Sequence, residues 1–227
     1  MTLFAVLTLL ISSSANAENV NVYTKNASFA TDVELTVPLH EFGVIGRFSG
    51  KNNYYSILPD GNASTMIHAD YRSPMKTVIY GYKFSDEVKK IHKVKWEWRV
   101  VTAPKGAREN IKEKNDSGAS VYLLFKKNMT TYTIKYVFSN SLPVDTTFEK
   151  KDLNPLNQMQ MVVASNLIES QSGSWVPVEV MVESEFRRLF NIDCYVPLRG
   201  VGILTDGDQT GSNVIADYRN FTYSQTE

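Results

Sequence analysis

Short runs of alternating apolar and polar residues recur along most of the chain. The clearest run covers residues 93–101, in which two valines and the tryptophans Trp96 and Trp98 alternate with charged residues. Successive side chains of a β-strand point to opposite faces, so this alternation predicts a strand with its tryptophans on the buried face. Eleven runs, alternating or mostly apolar, predict strands at residues 31–37, 54–58, 64–69, 77–84, 93–101, 121–125, 132–138, 158–163, 175–182, 201–204 and 216–223.

Turn-forming residues separate most of these runs. The sequence Pro-Asp-Gly-Asn at residues 59–62 predicts a hairpin between the second and third runs. Many short strands without alternating helices predict an all-β fold, namely an antiparallel β-sandwich or jelly roll. One short helix is predicted near residues 183–190, because Phe186, Leu189 and Phe190 recur at helical spacing.

The first residues have the pattern of a signal peptide. An apolar run at residues 3–11 is followed by Ala15-Asn16-Ala17, a small-x-small cleavage pattern. We therefore expect a leader at residues 1–17, a single β-sandwich domain at 18–227 and a periplasmic or secreted location. No later run is long and apolar enough to predict a transmembrane segment in the mature chain.

Net charge and cysteine content indicate which binding partners and which cellular compartment the protein has. Lysine plus arginine number 24, as do aspartate plus glutamate, so the net charge gives no attraction to nucleic acid. Cys194 is the single cysteine, which excludes an internal disulfide and favours a bacterial envelope protein. We interpret Cys194 as a small packed residue.

The charged side of the 93–101 run is the first candidate site. If the tryptophans are buried, Glu97 and Arg99 lie together on the opposite face of the sheet. A carboxylate beside a guanidinium binds sugar hydroxyls or a uronate, but the same pair is equally common as a surface ion pair. Trp175 follows a Gly-Ser turn and is either an aromatic at the rim of a site or a core residue.

Two loops carry acidic residues beside glycine. Asp116 lies in the Asn-Asp-Ser-Gly sequence at 115–118, which reads either as a plain turn or as a polar anchor at the end of the sheet. Asp206 and Asp208 alternate in a glycine-containing loop, as at the start of a calcium loop, although the complete calcium-loop motif is missing. Calcium is the candidate cofactor, and Asp217 adds a ligand only if the fold brings it there.

Polar groups near strand ends complete the candidates. Tyr122 and Tyr136 are tyrosines of the type that a lyase uses as its base, and Asn140 is either a ligand-facing amide or part of a turn. The chain has no zinc-hydrolase, nucleophile-elbow or P-loop motif. A glycosidase with paired carboxylates stays open, because its two acids can come from different strands.

Six segments, taken in order, resemble a bacterial exported family catalogued as a domain of unknown function, DUF3047. The resemblance covers residues 91–223. The segments are Trp-Glu-Trp-Arg-Val (96–100), Asn-Asp-Ser-Gly-Ala-Ser-Val-Tyr (115–122), Lys-Tyr-Val-Phe-Ser-Asn (135–140), Gly-Ser-Trp (173–175), Glu-Phe-Arg-Arg-Leu-Phe (185–190) and Gly-Ile-Leu-Thr-Asp-Gly-Asp-Gln-Thr-Gly (202–211).

The chain departs from that family's usual pattern in two places. The second segment usually reads Asp-Asp-x-Ala-Ala-Arg-Val-Tyr, and here Asn115 replaces the first Asp and Ser120 the Arg. The last usually contains Thr-Asp-Thr-Asp-Asn-Thr, and here Gly207 and Gln209 differ. The resemblance implies a jelly roll similar to carbohydrate-binding modules but no established activity, so the functional step rests on fold analogy.

Three functions follow as hypotheses, and whether the chain is an enzyme stays open. The first is a carbohydrate-recognising protein of the bacterial envelope, with a polysaccharide or oligosaccharide as partner and Tyr122, Asn140 and Trp175 among its ligand-binding residues. The second is a glycoside hydrolase or polysaccharide lyase on the same scaffold. Its catalytic residues would come from Glu97, Arg99, Asp116 and Tyr136. The third is a structural or assembly partner of the envelope, which a flat apolar patch would favour.

Overall fold

Thirteen strands and one α-helix form in the computed structural model, which describes residues 33–45, 53–61, 64–88, 90–151 and 154–225. The predicted leader at residues 1–17 lies outside the described residues. In chain order the strands are β1 (Val33–Thr36), β2 (Gly43–Ile45), β3 (Tyr55–Pro59), β4 (Thr65–Tyr71), β5 (Ile79–Lys83), β6 (Ile91–Thr102), β7 (Ala119–Lys127), β8 (Thr130–Ser139), β9 (Thr147–Lys151), β10 (Asn157–Asn166), β11 (Val176–Met181), β12 (Leu198–Leu204) and β13 (Val214–Gln225). Helix α1 (Val182–Phe190) lies between β11 and β12.

Each of the eleven predicted runs overlaps a strand, and two further strands were not predicted. β2 has only three residues, and β9 is the mostly polar sequence Thr-Phe-Glu-Lys-Lys. Both lie at the edges of one sheet. Edge strands need no continuous apolar face, so their sequences carry little of the alternation that predicts a strand.

The strands form two sheets. Sheet A has the order β11-β6-β13-β4-β3, with β1 also paired to β13, and sheet B has the order β2-β5-β12-β7-β8-β10-β9. Neighbouring strands are antiparallel except for β8 and β10, which run parallel. This arrangement confirms the predicted all-β sandwich with one short helix.

The two sheets bury a mainly aromatic and aliphatic core. Trp96 and Trp98 of β6 are 1% and 0% exposed, and their rings meet edge to face with centres 5.6 Å apart. The Trp98 indole N–H donates to the Ser165 hydroxyl at 3.1 Å. The prediction that both tryptophans are core residues is confirmed, and it follows that Glu97 and Arg99 lie on the outer face of sheet A.

Helix α1 covers one end of the sandwich through its aromatic side. Phe186 is 3% exposed and packs against Phe125 of β7, Tyr132 of β8 and Phe190 of its own helix. The helix ends at Asn191, whose left-handed backbone (φ 54°) is typical of a helix terminus. None of the helices in the described ranges is long and apolar enough to cross a membrane.

Cys194 is exposed, so its interpretation as a packed residue is wrong. It follows α1 in an irregular stretch before β12, and the Lys127 ammonium donates to its sulfur at 2.8 Å. The thiol is free, as the single cysteine predicted.

Candidate functional site

Two ion pairs cross between adjacent strands on the outer face of sheet A. The register of β6 with β13 places Asp217 opposite Arg99 and Arg219 opposite Glu97. Arg99 Nε lies 2.7 Å from Asp217 Oδ2, and Arg219 Nη2 lies 2.7 Å from Glu97 Oε2. Opposite charges directly across a sheet stabilise both the pairing and the orientation of the side chains.

Trp175 lies against both arginines. The turn at Gly173, with φ +80°, leads the chain into β11, which pairs with β6. The half-buried indole has its ring centre 4.0 Å from the guanidinium carbon of Arg219 and 4.6 Å from that of Arg99. We call Glu97, Arg99, Trp175, Asp217 and Arg219 the Trp175 face.

Further polar side chains support the two arginines, either by direct contact or through Asp217. Asp217 is 1% exposed, and its second carboxylate oxygen lies 2.6 Å from His68 Nδ1 on β4. Asp60 forms a further ion pair with Arg219. Burial works against the Arg219 cation, but its bonds to Asp60 and Glu97 hold its pKa above the ordinary value. The guanidinium groups are therefore fixed before any ligand arrives.

A cleft of about 380 Å³ continues the Trp175 face along sheet A. Charged side chains from β1, β6 and β11 line it together with Pro177. Lys95, one of its lining residues, contacts both Glu34 and Glu179. The outer face of sheet A therefore presents hydrogen-bonding groups of both signs beside one aromatic ring.

The loops before β7 and after β12 bring three aspartates together. Carboxylate oxygens of Asp116, Asp206 and Asp208 all lie within 4.8 Å of one another, and we call these residues the aspartate cluster. Asp116 accepts the Thr210 N–H and hydroxyl at 2.7 and 2.6 Å, and Asp206 accepts the Ser117 N–H at 2.7 Å. These bonds fasten the two loops to each other.

Burial and mutual repulsion make it unfavourable for all three carboxylates of the aspartate cluster to be ionised. Burial raises the pKa of Asp206 to about 6, although Lys135 and the Ser117 N–H act in the opposite direction. Burial and the neighbouring Asp116 also raise the pKa of Asp208. Three carboxylates at this spacing suit a hard cation, which takes several oxygen ligands. Calcium at Asp206 and Asp208 therefore stays a prediction, with Asp116 added to the ligand set.

Asp217 does not join this loop, because its place in β13 points it at Arg99 on the outer face of sheet A. Tyr122 lies beside the aspartate cluster instead. It is 6% exposed, the Lys135 ammonium lies 5.6 Å from its ring centre, and burial followed by the charge of Asp206 raises its pKa. Ser120, where the family usually has arginine, has a buried hydroxyl without a hydrogen-bond partner among the described residues.

The remaining two candidates lie elsewhere. Tyr136 points into the sandwich, where its ring centre lies 5.4 Å from that of Trp96. The side-chain amide of Asn140 donates to the Pro104 carbonyl, and its backbone N–H donates to Glu109 at 3.1 Å, so Asn140 fastens a loop. The four catalytic candidates thus occupy three places, with only Glu97 and Arg99 together.

Sequence reasoning did not place four residues at the Trp175 face or its support, namely His68, Asp60, Asp217 and Arg219, and it considered Asp217 only as an additional calcium ligand. A signal for two of them was present, because Asp217-Tyr218-Arg219 alternates charge about an aromatic as Glu97-Trp98-Arg99 does. The register that joins the two triplets is a property of the fold.

A family model described as "Protein of unknown function (DUF3047)" matches residues 46–222. The match extends further toward the N-terminus than the segments at 91–223 that carry the resemblance. No curated protein matches the chain.

Several solved structures are similar to the chain at low identity. The xyloglucanase domain of NopAA from Sinorhizobium fredii, in complex with cellobiose, has 7% identity and a TM-score of 0.43 over 86% of this chain and 97% of that one. The catalytic domain of Humicola grisea Cel12A has 9% identity and a TM-score of 0.42 over 86% and 99%. A carbohydrate-binding module specific for non-crystalline cellulose has 17% identity and a TM-score of 0.35 over 82% and 85%. Likenesses at this distance carry no argument about what this chain binds.

Proposed function

Since the chain belongs to the DUF3047 family, whose description assigns no activity, we propose from its own geometry that it is an exported carbohydrate-recognising protein of the bacterial envelope. The observation that carries this proposal is the Trp175 face, where an indole, two guanidinium groups and the Glu97 carboxylate converge on the outside of a sheet above the buried Asp217. The proposed partner is a polysaccharide or oligosaccharide.

The chemistry of a sugar ring matches this face. Each ring has an apolar C–H side and a rim of hydroxyls that both donate and accept hydrogen bonds. An aromatic ring covers the apolar side, and fixed charged groups bind the hydroxyls with charge-assisted hydrogen bonds. The mutual ion pairs of Arg99, Arg219, Asp217 and Glu97 hold these groups in place, which lowers the entropy lost on binding.

The envelope location rests on the signal-peptide pattern at residues 1–17 and is part of the proposal. A protein that meets its ligand outside the cytoplasm encounters glycans of the cell surface or of the surroundings. The charged cleft beside Trp175, about 380 Å³ in volume, offers room along the sheet for a further part of a chain-like ligand.

The test is binding of the purified protein to an array of bacterial and plant polysaccharides. We expect retention on at least one neutral or uronate-containing glycan, weakened about tenfold or more in Trp175→Ala, because a central aromatic anchor contributes strongly to binding. Tyr195→Ala is the matched control. Tyr195 is a 39% exposed aromatic that contacts a lysine, Lys90, away from the Trp175 face.

Two results would contradict the proposal: no retention on any glycan, or equal weakening by Trp175→Ala and Tyr195→Ala. The enzyme hypothesis is checked in the same incubations, because a hydrolase or lyase releases soluble oligosaccharide. The structure lends that hypothesis no added support, since Asp116 and Tyr136 lie away from Glu97 and Arg99.

A further inference from the structure

A cavity of about 500 Å³ opens where the edge of sheet A faces sheet B. Its apolar wall comes from β10 and β11, including Val162, Val178 and Val180. Its polar wall comes from β8 and helix α1, including Tyr136, Glu185 and Arg188. The volume is in the range of small-molecule sites, which extends from about 300 to 1,000 Å³.

Tyr136 brings a buried hydroxyl to this cavity. The residue is 3% exposed. Its hydroxyl faces the Glu185 carboxylate but makes no hydrogen bond of normal geometry. Burial, followed by the charge of Glu185, holds the pKa of Tyr136 well above the ordinary value, so the hydroxyl keeps its proton. A buried hydroxyl that lacks a good hydrogen bond is destabilising, and such groups in native proteins call for an explanation such as a ligand.

The polar wall also holds a fixed ion pair. Arg188 donates to Glu185 from Nε at 2.9 Å and from Nη2 at 2.7 Å, one turn apart on α1. This pairing leaves the Nη1 hydrogens of Arg188 available to an acceptor, while the Glu185 carboxylate keeps lone pairs for a donor. Ser184 and Asp145 also line the cavity.

The mixture of groups defines the class of ligand. Tyr136 and Arg188 require hydrogen-bond acceptors, whereas Glu185 and Asp145 require donors. Vicinal hydroxyls supply both roles at once. An anion would meet the carboxylates of Asp145, Glu179 and Glu185, whereas an ammonium group has no acceptor to offer the Arg188 guanidinium. The valine wall then suits the apolar side of a sugar ring.

We propose that this cavity binds one or two units of a neutral saccharide, as a site separate from the Trp175 face. The inference rests on the proposed function for its ligand class but uses none of the five residues of the Trp175 face. The site would hold a chain end or a short oligosaccharide, while the Trp175 face contacts an extended chain.

Cellobiose, maltose and lactose, each titrated into the protein, are the probes. We expect at least one of them to shift the backbone amide signals of α1 and β11. We expect Tyr136→Phe to weaken that binding about five- to tenfold, because one hydrogen bond is lost. The folded state of Tyr136→Phe should be about as stable as the wild type, since the ring stays and the hydroxyl makes no hydrogen bond of normal geometry. Tyr195→Phe is the control and should leave binding unchanged.

The outcomes separate this inference from the proposed function. If polysaccharide retention depends on Trp175 but no disaccharide shifts the α1 and β11 signals, the cavity site is wrong and the proposed function stands. If a disaccharide binds in a Tyr136-dependent way while Trp175→Ala leaves all glycan binding intact, the cavity site stands and the Trp175 face does not. Tighter binding of glucuronate or glucosamine than of all three disaccharides would overturn the neutral ligand class.

Discussion

Asp217 is a buried carboxylate whose charge is balanced by Arg99. The Asp217 side chain is 2% exposed and the Arg99 side chain 26% exposed. Removing one partner of such a pair leaves an uncompensated buried charge. We therefore expect Arg99→Ala to lower the free energy of unfolding by about 3 kcal/mol. Urea denaturation followed by tryptophan fluorescence measures the change, because Trp96 and Trp98 are buried.

Arg72→Ala is the control for this prediction. Arg72 pairs with Asp70, but both side chains are exposed, at 53% and 40%. Exposed ion pairs contribute at most about 1 kcal/mol, so this variant should differ little from the wild type. Equal losses in the two variants would contradict the role given to Asp217. The instability expected of Arg99→Ala also makes Trp175 the better residue for testing ligand binding.

Asp206 makes stability depend on pH. Its carboxyl has a pKa of about 6 in the folded chain, compared with 3.8 for an aspartate without such interactions. The folded state binds this proton more tightly than the unfolded state does. The free energy of unfolding therefore falls as the pH rises from about 4 to about 6. Above about pH 6 the carboxyl is ionised in both states and causes no further change. The loss is on the order of 2–3 kcal/mol. Urea denaturation at a series of pH values measures it.

Asp206→Asn should flatten this pH dependence. The amide oxygen can still accept the Ser117 N–H, and it carries no charge to desolvate. Asp193→Asn, in a side chain that is 94% exposed, should leave the pH profile unchanged. A steep loss of stability over the same pH range in Asp206→Asn would show that another group is responsible.

Calcium acts on the same carboxylates if the aspartate cluster binds it. We expect about millimolar Ca²⁺, the range of extracellular calcium modules, to raise the midpoint of thermal unfolding at neutral pH. Asp208→Asn should remove the effect, because it takes away a carboxylate of the cluster. Asp70→Asn, in an exposed ion pair, should keep it. An unchanged midpoint in the wild type would contradict the calcium prediction.

Strands β2 and β5 pair through two glycines that differ in their surroundings. Gly43 lies directly opposite Gly81. A Cβ on Gly81 would lie 2.5 Å from the Val201 carbonyl oxygen, whereas a Cβ on Gly43 would meet nothing within 4 Å. Since the backbone of β12 cannot easily move, we expect Gly81→Ala to cost about 1–3 kcal/mol of stability. Gly43→Ala should change it by less than about 1 kcal/mol.

Thermal unfolding of both glycine variants beside the wild type measures this difference. A Gly81→Ala variant as stable as Gly43→Ala would mean that β5 and β12 separate to accept the methyl group. Periodicity alone does not show such close approaches, because the sequence predicts that a residue is in a strand but not what lies above it.

Export is a prediction at the scale of the whole chain. The apolar run and the Ala-Asn-Ala pattern predict cleavage after Ala17. We expect protein recovered from the periplasm of a bacterial host to begin at Glu18, as measured by intact mass. Ala17→Arg should leave an uncleaved precursor, because the peptidase requires a small residue there. Full-length wild-type protein confined to the cytoplasm would contradict the prediction.

Three separate polar regions arise when the two sheets pack together. The Trp175 face lies on the outside of sheet A, and the aspartate cluster lies in the loops beside β7 and β12. The cavity lined by Tyr136, Glu185 and Arg188 lies at the open edge between the sheets. Segments that stand apart in the sequence, such as 135–140 and 185–190, meet in that cavity. The fold also separates the proposed catalytic residues, because Asp116 and Tyr136 lie away from Glu97 and Arg99.

The sequence by itself determined eleven of the thirteen strands in the described residues, the helix and the burial of Trp96 and Trp98, because side-chain periodicity is local. It also put Glu97 and Arg99 on the outer face. Only the tertiary structure decided that Arg99 meets Asp217, 118 residues away, and that Tyr136 faces α1. Strand order and register depend on the packing of the whole sandwich, since backbone hydrogen bonds between strands are the same for any partner.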